Sequence, residues 1–180
     1  MQIQSTFRGQ EKECKKALRL KSIGINTITC CGSGIISVLA SSKGAKVTAL
    51  DINQIALDSL KEVSAKQDLE INTTYSDLLD EIDPNRFDYI FINPPYYPKK
   101  PSNLTEKAWF CGENFEFFEK MFLQLKGINL ENTKVLMILS DACELVKIGE
   151  IANQNELGLN EVYKVELTFE TNFIYELVTS

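Results

Sequence analysis

The sequence predicts an α/β domain, a doubly wound and mostly parallel seven-stranded sheet that ends in an antiparallel β-hairpin. Three observations carry this expectation. From residue 23 onward, short apolar strand-like runs alternate with helix-like stretches, the pattern of successive βα units. The final two strand-like runs follow one another with only Glu170 and Thr171 between them, which brings an antiparallel strand into a parallel sheet. The 180 residues are 44% hydrophobic and 24% charged, enough to bury one core and short for two domains.

The elements read in order as follows. Residues 1–22 are polar and rich in Lys and Glu, with Ala17, Leu18 and Leu20 as sparse apolar points. They predict an N-terminal arm or a surface helix ahead of a domain spanning 23–180. Apolar runs predict strands at Gly24–Cys30, Lys46–Leu50, Glu70–Thr74, Phe87–Ile92 and Lys134–Leu139. Helix-like stretches separate them at Gly34–Ser42, Gln54–Lys66, Asn114–Leu125 and Ala142–Asn153. The hairpin strands are predicted at Leu159–Phe169 and Asn172–Val178. The cluster Phe115, Phe117, Phe118 and Phe122 falls at helical spacing and reads as core rather than as a base-stacking platform.

Composition narrows the chemistry. There is no histidine, which removes His-based triads, His general bases and His metal ligands. The five cysteines (Cys14, Cys30, Cys31, Cys111 and Cys143) have no CxxC spacing and are odd in number, so neither a zinc site nor a disulfide framework is expected. They read as reduced thiols of a soluble cytoplasmic protein, with no metal. The net charge of −6 argues against extensive phosphate neutralisation, although a local basic patch would still admit RNA. No run approaches a membrane span, and the N-terminus lacks the apolar centre of a signal peptide.

Four motifs fall at predicted strand ends. Cys30-Cys31-Gly32-Ser33-Gly34 follows the first strand and opens a helix, where glycines permit a tight turn and close ligand approach. A plain structural turn reads equally from it, and Ser37 stands where a dinucleotide loop would have its third glycine. Asp51, followed by Ile52, ends the second strand and suits a ribose with two hydroxyls; the competing role is the N-cap of the next helix. Asp77 and Leu78 follow the third strand, where a carboxylate can accept from an exocyclic purine amine or simply be a solvated turn.

The fourth motif is Asn93-Pro94-Pro95-Tyr96, directly after the apolar run Phe87–Ile92. Prolines stiffen the backbone at the carboxyl end of a central strand, where ligands bind in open α/β sheets. The Asn93 amide oxygen and the Pro94 carbonyl can accept both hydrogens of a planar NH2 group, and Tyr96 can stack on it. Such a site works by positioning and needs no histidine. The competing reading is a rigid proline turn.

Taken together, these residues resemble class I S-adenosylmethionine-dependent methyltransferases of the Asn-Pro-Pro-Tyr group. That group includes HemK-like protein-glutamine N5-methyltransferases and adenine-N6 methyltransferases. The segment Ala108-Trp109-Phe110-Cys111-Gly112-Glu113-Asn114 is similar to the Ala-Trp-x-Gly-Gly-x-x-Gly stretch of HemK-like proteins, with Cys111 and Phe115 interrupting its glycines. The resemblance covers roughly residues 26–178. It implies a Rossmann-like fold, S-adenosyl-L-methionine as cofactor, and methyl transfer to a nitrogen. It further implies that Asn93, Pro94, Pro95 and Tyr96 form the catalytic pocket. Cys31, Gly32, Gly34, Asp51, Ile52, Asp77, Leu78 and Asn93 would contact the cofactor, with the glycines at its methionine end, Asp51 at the ribose and Asp77 at the adenine. The expected partner is a protein substrate bearing a release-factor-like glutamine. Without the helical domain that precedes the catalytic one in bacterial HemK proteins, the chain looks like the short archaeal and eukaryotic relatives.

The chain departs from that pattern at Ile28, where family members carry an acidic residue, at Cys30, where the loop has its first glycine, and in a short region before the first strand. Three alternatives therefore stand beside a glutamine methyltransferase. One is an adenine-N6 methyltransferase acting on ribosomal or transfer RNA, to which Lys99, Lys100 and Lys107 could contribute phosphate contacts. Another is a noncatalytic methyltransferase-like binding module. The third, a dinucleotide-dependent oxidoreductase, leaves Asn-Pro-Pro-Tyr and the terminal hairpin unexplained.

Overall fold

The computed structural model describes residues 25–30, 32–166, 168 and 170–180. The expected N-terminal arm at 1–22 and the loop residue Cys31 lie outside the described residues. Seven strands form one sheet: β1 (Asn26–Cys30), β2 (Lys46–Asp51), β3 (Ile71–Tyr75), β4 (Tyr89–Ile92), β5 (Lys134–Ser140), β6 (Leu157–Glu166) and β7 (Thr171–Thr179). Their spatial order is β3-β2-β1-β4-β5-β7-β6. The first five pair in parallel; β7 runs antiparallel to both β5 and β6. The order reverses direction between β1 and β4, so the crevice above their carboxyl ends is a topological switch point.

Four α-helices cover the sheet: α1 (Ile35–Ser41), α2 (Gln54–Lys66), α3 (Glu116–Leu125) and α4 (Leu145–Gln154). One face buries Ile28, Ile90, Ile92, Met137 and Leu139 against Phe118, Met121, Phe122 and Ile148. The other buries Val47, Phe91, Leu136, Ile138 and Ile174 against Ile36 and Ala40 of α1. Because β4 and β5 are covered on both sides, they read as continuous apolar runs rather than alternating ones. Phe118 and Phe122 are fully buried, which makes the phenylalanine cluster core, as its spacing predicts. The thiols of Cys111 and Cys143 are also buried, and desolvation pushes both up to about 11.

Most boundaries shift by one to three residues from the expectation, three of them for a specific reason. Strand β6 ends at Glu166, short of the expected Phe169, and Thr171 belongs to β7 rather than to the connection, because it already pairs with Glu166. Helix α3 begins at Glu116, two residues after the expected Asn114, because Phe115 takes φ +62° and cannot belong to a right-handed helix. Helix α4 begins at Leu145, after a turn in which Cys143 N–H donates to the Ser140 carbonyl.

Candidate active site

The glycine loop links β1 to α1. Gly32 and Gly34 have φ of +46° and +74°, and Gly34 is the left-handed N-cap of α1. A Cβ at Gly34 would stand 2.9 Å from Leu60 Cδ1, whereas nothing lies within 4 Å of one at Gly32. Gly34 is therefore required twice over, while Gly32 leaves open space above the loop. The side chain at the third-glycine position, Ser37, is buried, and its hydroxyl lies 2.6 Å from the Thr29 hydroxyl. This pair fastens α1 to β1. Ile28 is wholly buried in the main core, so the position that departs from the family pattern is occupied by a packed side chain.

Asp51 ends β2, and both of its carboxylate oxygens face backbone. Oδ2 accepts from Gly32 N–H at 2.9 Å and Oδ1 from Asn53 N–H at 2.7 Å. The cap of α2 is Asn53, whose Oδ1 accepts from Ile55 N–H at 3.1 Å. The helix-cap role considered for Asp51 is thus filled by another residue. Each Asp51 oxygen keeps a further lone pair for a ligand hydroxyl. Ile52 is half-buried beside it.

After β3, Ser76 is buried, Asp77 exposed and Leu78 left-handed at φ +60°. Asp77 is not a merely solvated turn residue: Lys120 of α3 reaches its Oδ2 at 2.8 Å. Lys120 also holds Asp80 Oδ2 at 2.7 Å. Neither Lys120 nor its neighbour Gln124 is among the site residues expected from the sequence. The available signal was two polar positions at i, i+4 among the apolar side chains of α3.

Asn93 follows β4 directly and is exposed, Pro94 is buried, and Pro95 and Tyr96 are half-buried. Cys30, Gly32, Ser33 and Asn93 line one cleft, with Ile35, Ile36 and Ile138, so the glycine loop and the tetrapeptide share a site. Its volume is about 30 Å³, too small to enclose a nucleoside. The Tyr96 ring lies 4.8 Å from that of Tyr97. Burial, followed by the neighbouring Tyr97 and Glu170, raises the Tyr96 phenol above its ordinary range, so it remains an uncharged aromatic surface.

The Ala108–Asn114 segment packs along the extension of the tetrapeptide. Tyr97 N–H donates to the Trp109 carbonyl at 3.1 Å, Cys111 N–H to the Tyr97 carbonyl at 3.0 Å, and Gly112 N–H to the Lys99 carbonyl at 3.1 Å. Trp109 is 42% exposed, which excludes core packing for it. Lys99, Lys100 and Lys107 are exposed, with the Lys99 ammonium 4.7 Å from the Phe110 ring centroid.

The fold, a parallel sheet completed by an antiparallel C-terminal hairpin, has the class I methyltransferase architecture. Residues 27–110 match the family model of the methyltransferase small domain. A bifunctional methyltransferase of Rickettsia conorii is 31% identical over 135 residues, which are 71% of this chain and 25% of that protein. The chain spans about a quarter of the length of the curated relatives it matches. The structure of the Mtq2–Trm112 complex of E. cuniculi, described as responsible for methylating the eRF1 translation termination factor, superposes with a TM-score of 0.69 at 17% identity. The match covers 96% of this chain and 94% of that one. Magnesium protoporphyrin IX methyltransferase from Synechocystis PCC 6803, with bound SAH, superposes with a TM-score of 0.66 at 14% identity, covering 96% and 84%. These structural likenesses show the class I methyltransferase fold. Among the described residues, no helix is long and apolar enough to cross a membrane.

Proposed function

We infer that this protein is an S-adenosylmethionine-dependent N-methyltransferase of the HemK-like group, acting on the side-chain amide of a glutamine in a protein. The observation that carries the reading is the cleft shared by the glycine loop and Asn93 at the switch point between β1 and β4. The residues fit the cofactor: Gly32 leaves space above the loop, and Asp51 presents acceptors at the end of β2. In this reading Gly32 and Gly34, with Cys31 between β1 and α1, hold the methionine end. Asp51 and Ile52 hold the ribose, and Asp77 and Leu78 the adenine.

When bound, S-adenosylmethionine supplies a sulfonium methyl group, and the sulfur departs as a neutral thioether. The Asn93 side-chain oxygen and the Pro94 carbonyl accept the two amide hydrogens and set the direction of the nitrogen lone pair. Tyr96 covers the amide plane. Pro94 and Pro95 limit the backbone motions that would spoil this alignment, and orientation supplies most of the acceleration. As the N–C bond forms, one amide proton is released to water. A protein target is supported by the net charge of −6, by the Ala108–Asn114 segment, and by the fold shared with the Mtq2–Trm112 complex.

The test combines calorimetric titration with S-adenosylmethionine and transfer of a tritiated methyl group to glutamine-bearing peptides or to RNA. Micromolar cofactor binding with label in the peptide sustains the reading. Label only in RNA replaces the substrate by adenine, and no binding at millimolar cofactor overturns the enzyme assignment.

A further inference from the structure

The loop after β3 is held by more contacts than its length requires. Ser76 Oγ–H donates to the Leu78 carbonyl at 2.8 Å, and the same oxygen accepts from Glu81 N–H at 3.3 Å. Between them Leu78 has φ +60°, a left-handed conformation that a side chain with a Cβ adopts only when its surroundings enforce it. The enforcement comes from α3. Gln124 Oε1 accepts from Leu79 N–H at 3.1 Å, while its Nε2 donates to Asp80 Oδ1. Lys120 Nζ reaches Asp80 Oδ2 at 2.7 Å, Asp77 Oδ2 at 2.8 Å and the Asp77 carbonyl at 3.4 Å. One lysine and one glutamine, a helical turn apart, therefore spend their side-chain hydrogen bonds on three residues of a distant loop, Asp77, Leu79 and Asp80.

This arrangement fixes which part of Asp77 remains available. Its Oδ2 is taken by Lys120, and among the described residues its Oδ1 accepts no hydrogen bond. The loop thus presents a carboxylate acceptor while its nearest cation is committed to Asp77 Oδ2 and Asp80. A 6-aminopurine offers a donor at its exocyclic nitrogen and complements that acceptor. A 6-oxopurine offers an acceptor there and opposes it.

We propose that Lys120, supported by Gln124 and Asp80, is a positioning residue that orients Asp77 and thereby selects an amino-bearing purine at the cofactor site. The proposal rests on the cofactor reading above. Lys120 acts through Asp77, and its role shows as selectivity between purines.

The test is calorimetric titration of the unsubstituted protein, Lys120→Met, Lys120→Arg and Asp80→Asn, each with S-adenosylhomocysteine and with its deaminated analogue S-inosylhomocysteine. Lys120→Met is expected to lose about tenfold in affinity for the adenine compound, the scale of one charge-assisted hydrogen bond. Its affinity for the inosine compound should stay within about twofold to threefold, the size of a minor contact. Lys120→Arg should keep the preference, and Asp80→Asn, which frees one anchor of the lysine, should lose part of it. The affinity ratio is the decisive readout, since a general loosening of the fold weakens both ligands together. An unchanged ratio in Lys120→Met and Asp80→Asn overturns the proposal and leaves the cofactor reading intact. Absence of binding by the unsubstituted protein removes the cofactor reading and this proposal with it.

Discussion

The Asp51 carboxylate accepts the backbone N–H of Gly32 at 2.9 Å, joining the end of β2 to the loop that opens α1. A single side chain therefore both shapes the glycine loop and offers acceptors to a ligand lying over it. Asp51→Ala is expected to weaken S-adenosylmethionine binding by about 1–3 kcal/mol, the scale for lost hydrogen bonds to a charged group. Calorimetry on the variant checks this, and an affinity equal to that of the unsubstituted protein would confine Asp51 to loop structure.

Asn93 is exposed at the end of β4, so truncating it removes an acceptor without opening a cavity. Asn93→Ala should abolish methyl transfer while cofactor affinity stays within a few-fold. The assay is label incorporation alongside titration. A fully active variant would take the tetrapeptide out of the reaction.

Gly34 is a structural requirement of the loop whatever it contacts. At φ +74°, and with Leu60 Cδ1 2.9 Å from the position of a Cβ, Gly34→Ala should lose about 1–2 kcal/mol of stability. Urea unfolding measures the loss directly. An undiminished midpoint would mean that the loop adopts another conformation.

Alkaline pH should destabilise the fold. Burial pushes the thiols of Cys111 and Cys143 up to about 11 from an ordinary 9.0. Below pH 9 both states keep these thiols protonated, and stability is at its full value. Between pH 9 and about 11 the unfolded chain loses protons that the folded chain retains, so stability falls as pH rises. Thermal melts across that window should show a falling midpoint, less steep in Cys143→Ala. A flat profile would contradict the burial of these thiols.

Strands β4 and β5 can be read from residues alone because they are covered on both faces and present unbroken apolar runs. Their ends are harder to read. Nothing in the side chains of Glu170 and Thr171 tells which of them pairs across the hairpin; that is decided by the register of Glu166 with Thr171. The site divides the same way. Asn93 and Asp51 announce themselves because their place at a strand end is local information. Lys120 does not, since its partners Asp77 and Asp80 are 43 and 40 residues away and only the packing of α3 brings them together. Asp51 also had a local competitor for its role, and the backbone geometry of Asn53 settled which residue caps α2.

The stitching of Tyr97 and Lys99 to Trp109 and Gly112 has an evolutionary consequence. Main-chain hydrogen bonds fasten both ends of the 100–108 excursion, and Ser102 and Asn103 bind Glu106 within it. The excursion is therefore anchored at its base independently of most of what lies within it. Doubling such a loop costs only about 0.6 kcal/mol in closure entropy. Insertions there should thus be tolerated while the Asn93–Tyr96 backbone and the strand ends beneath it stay as they are.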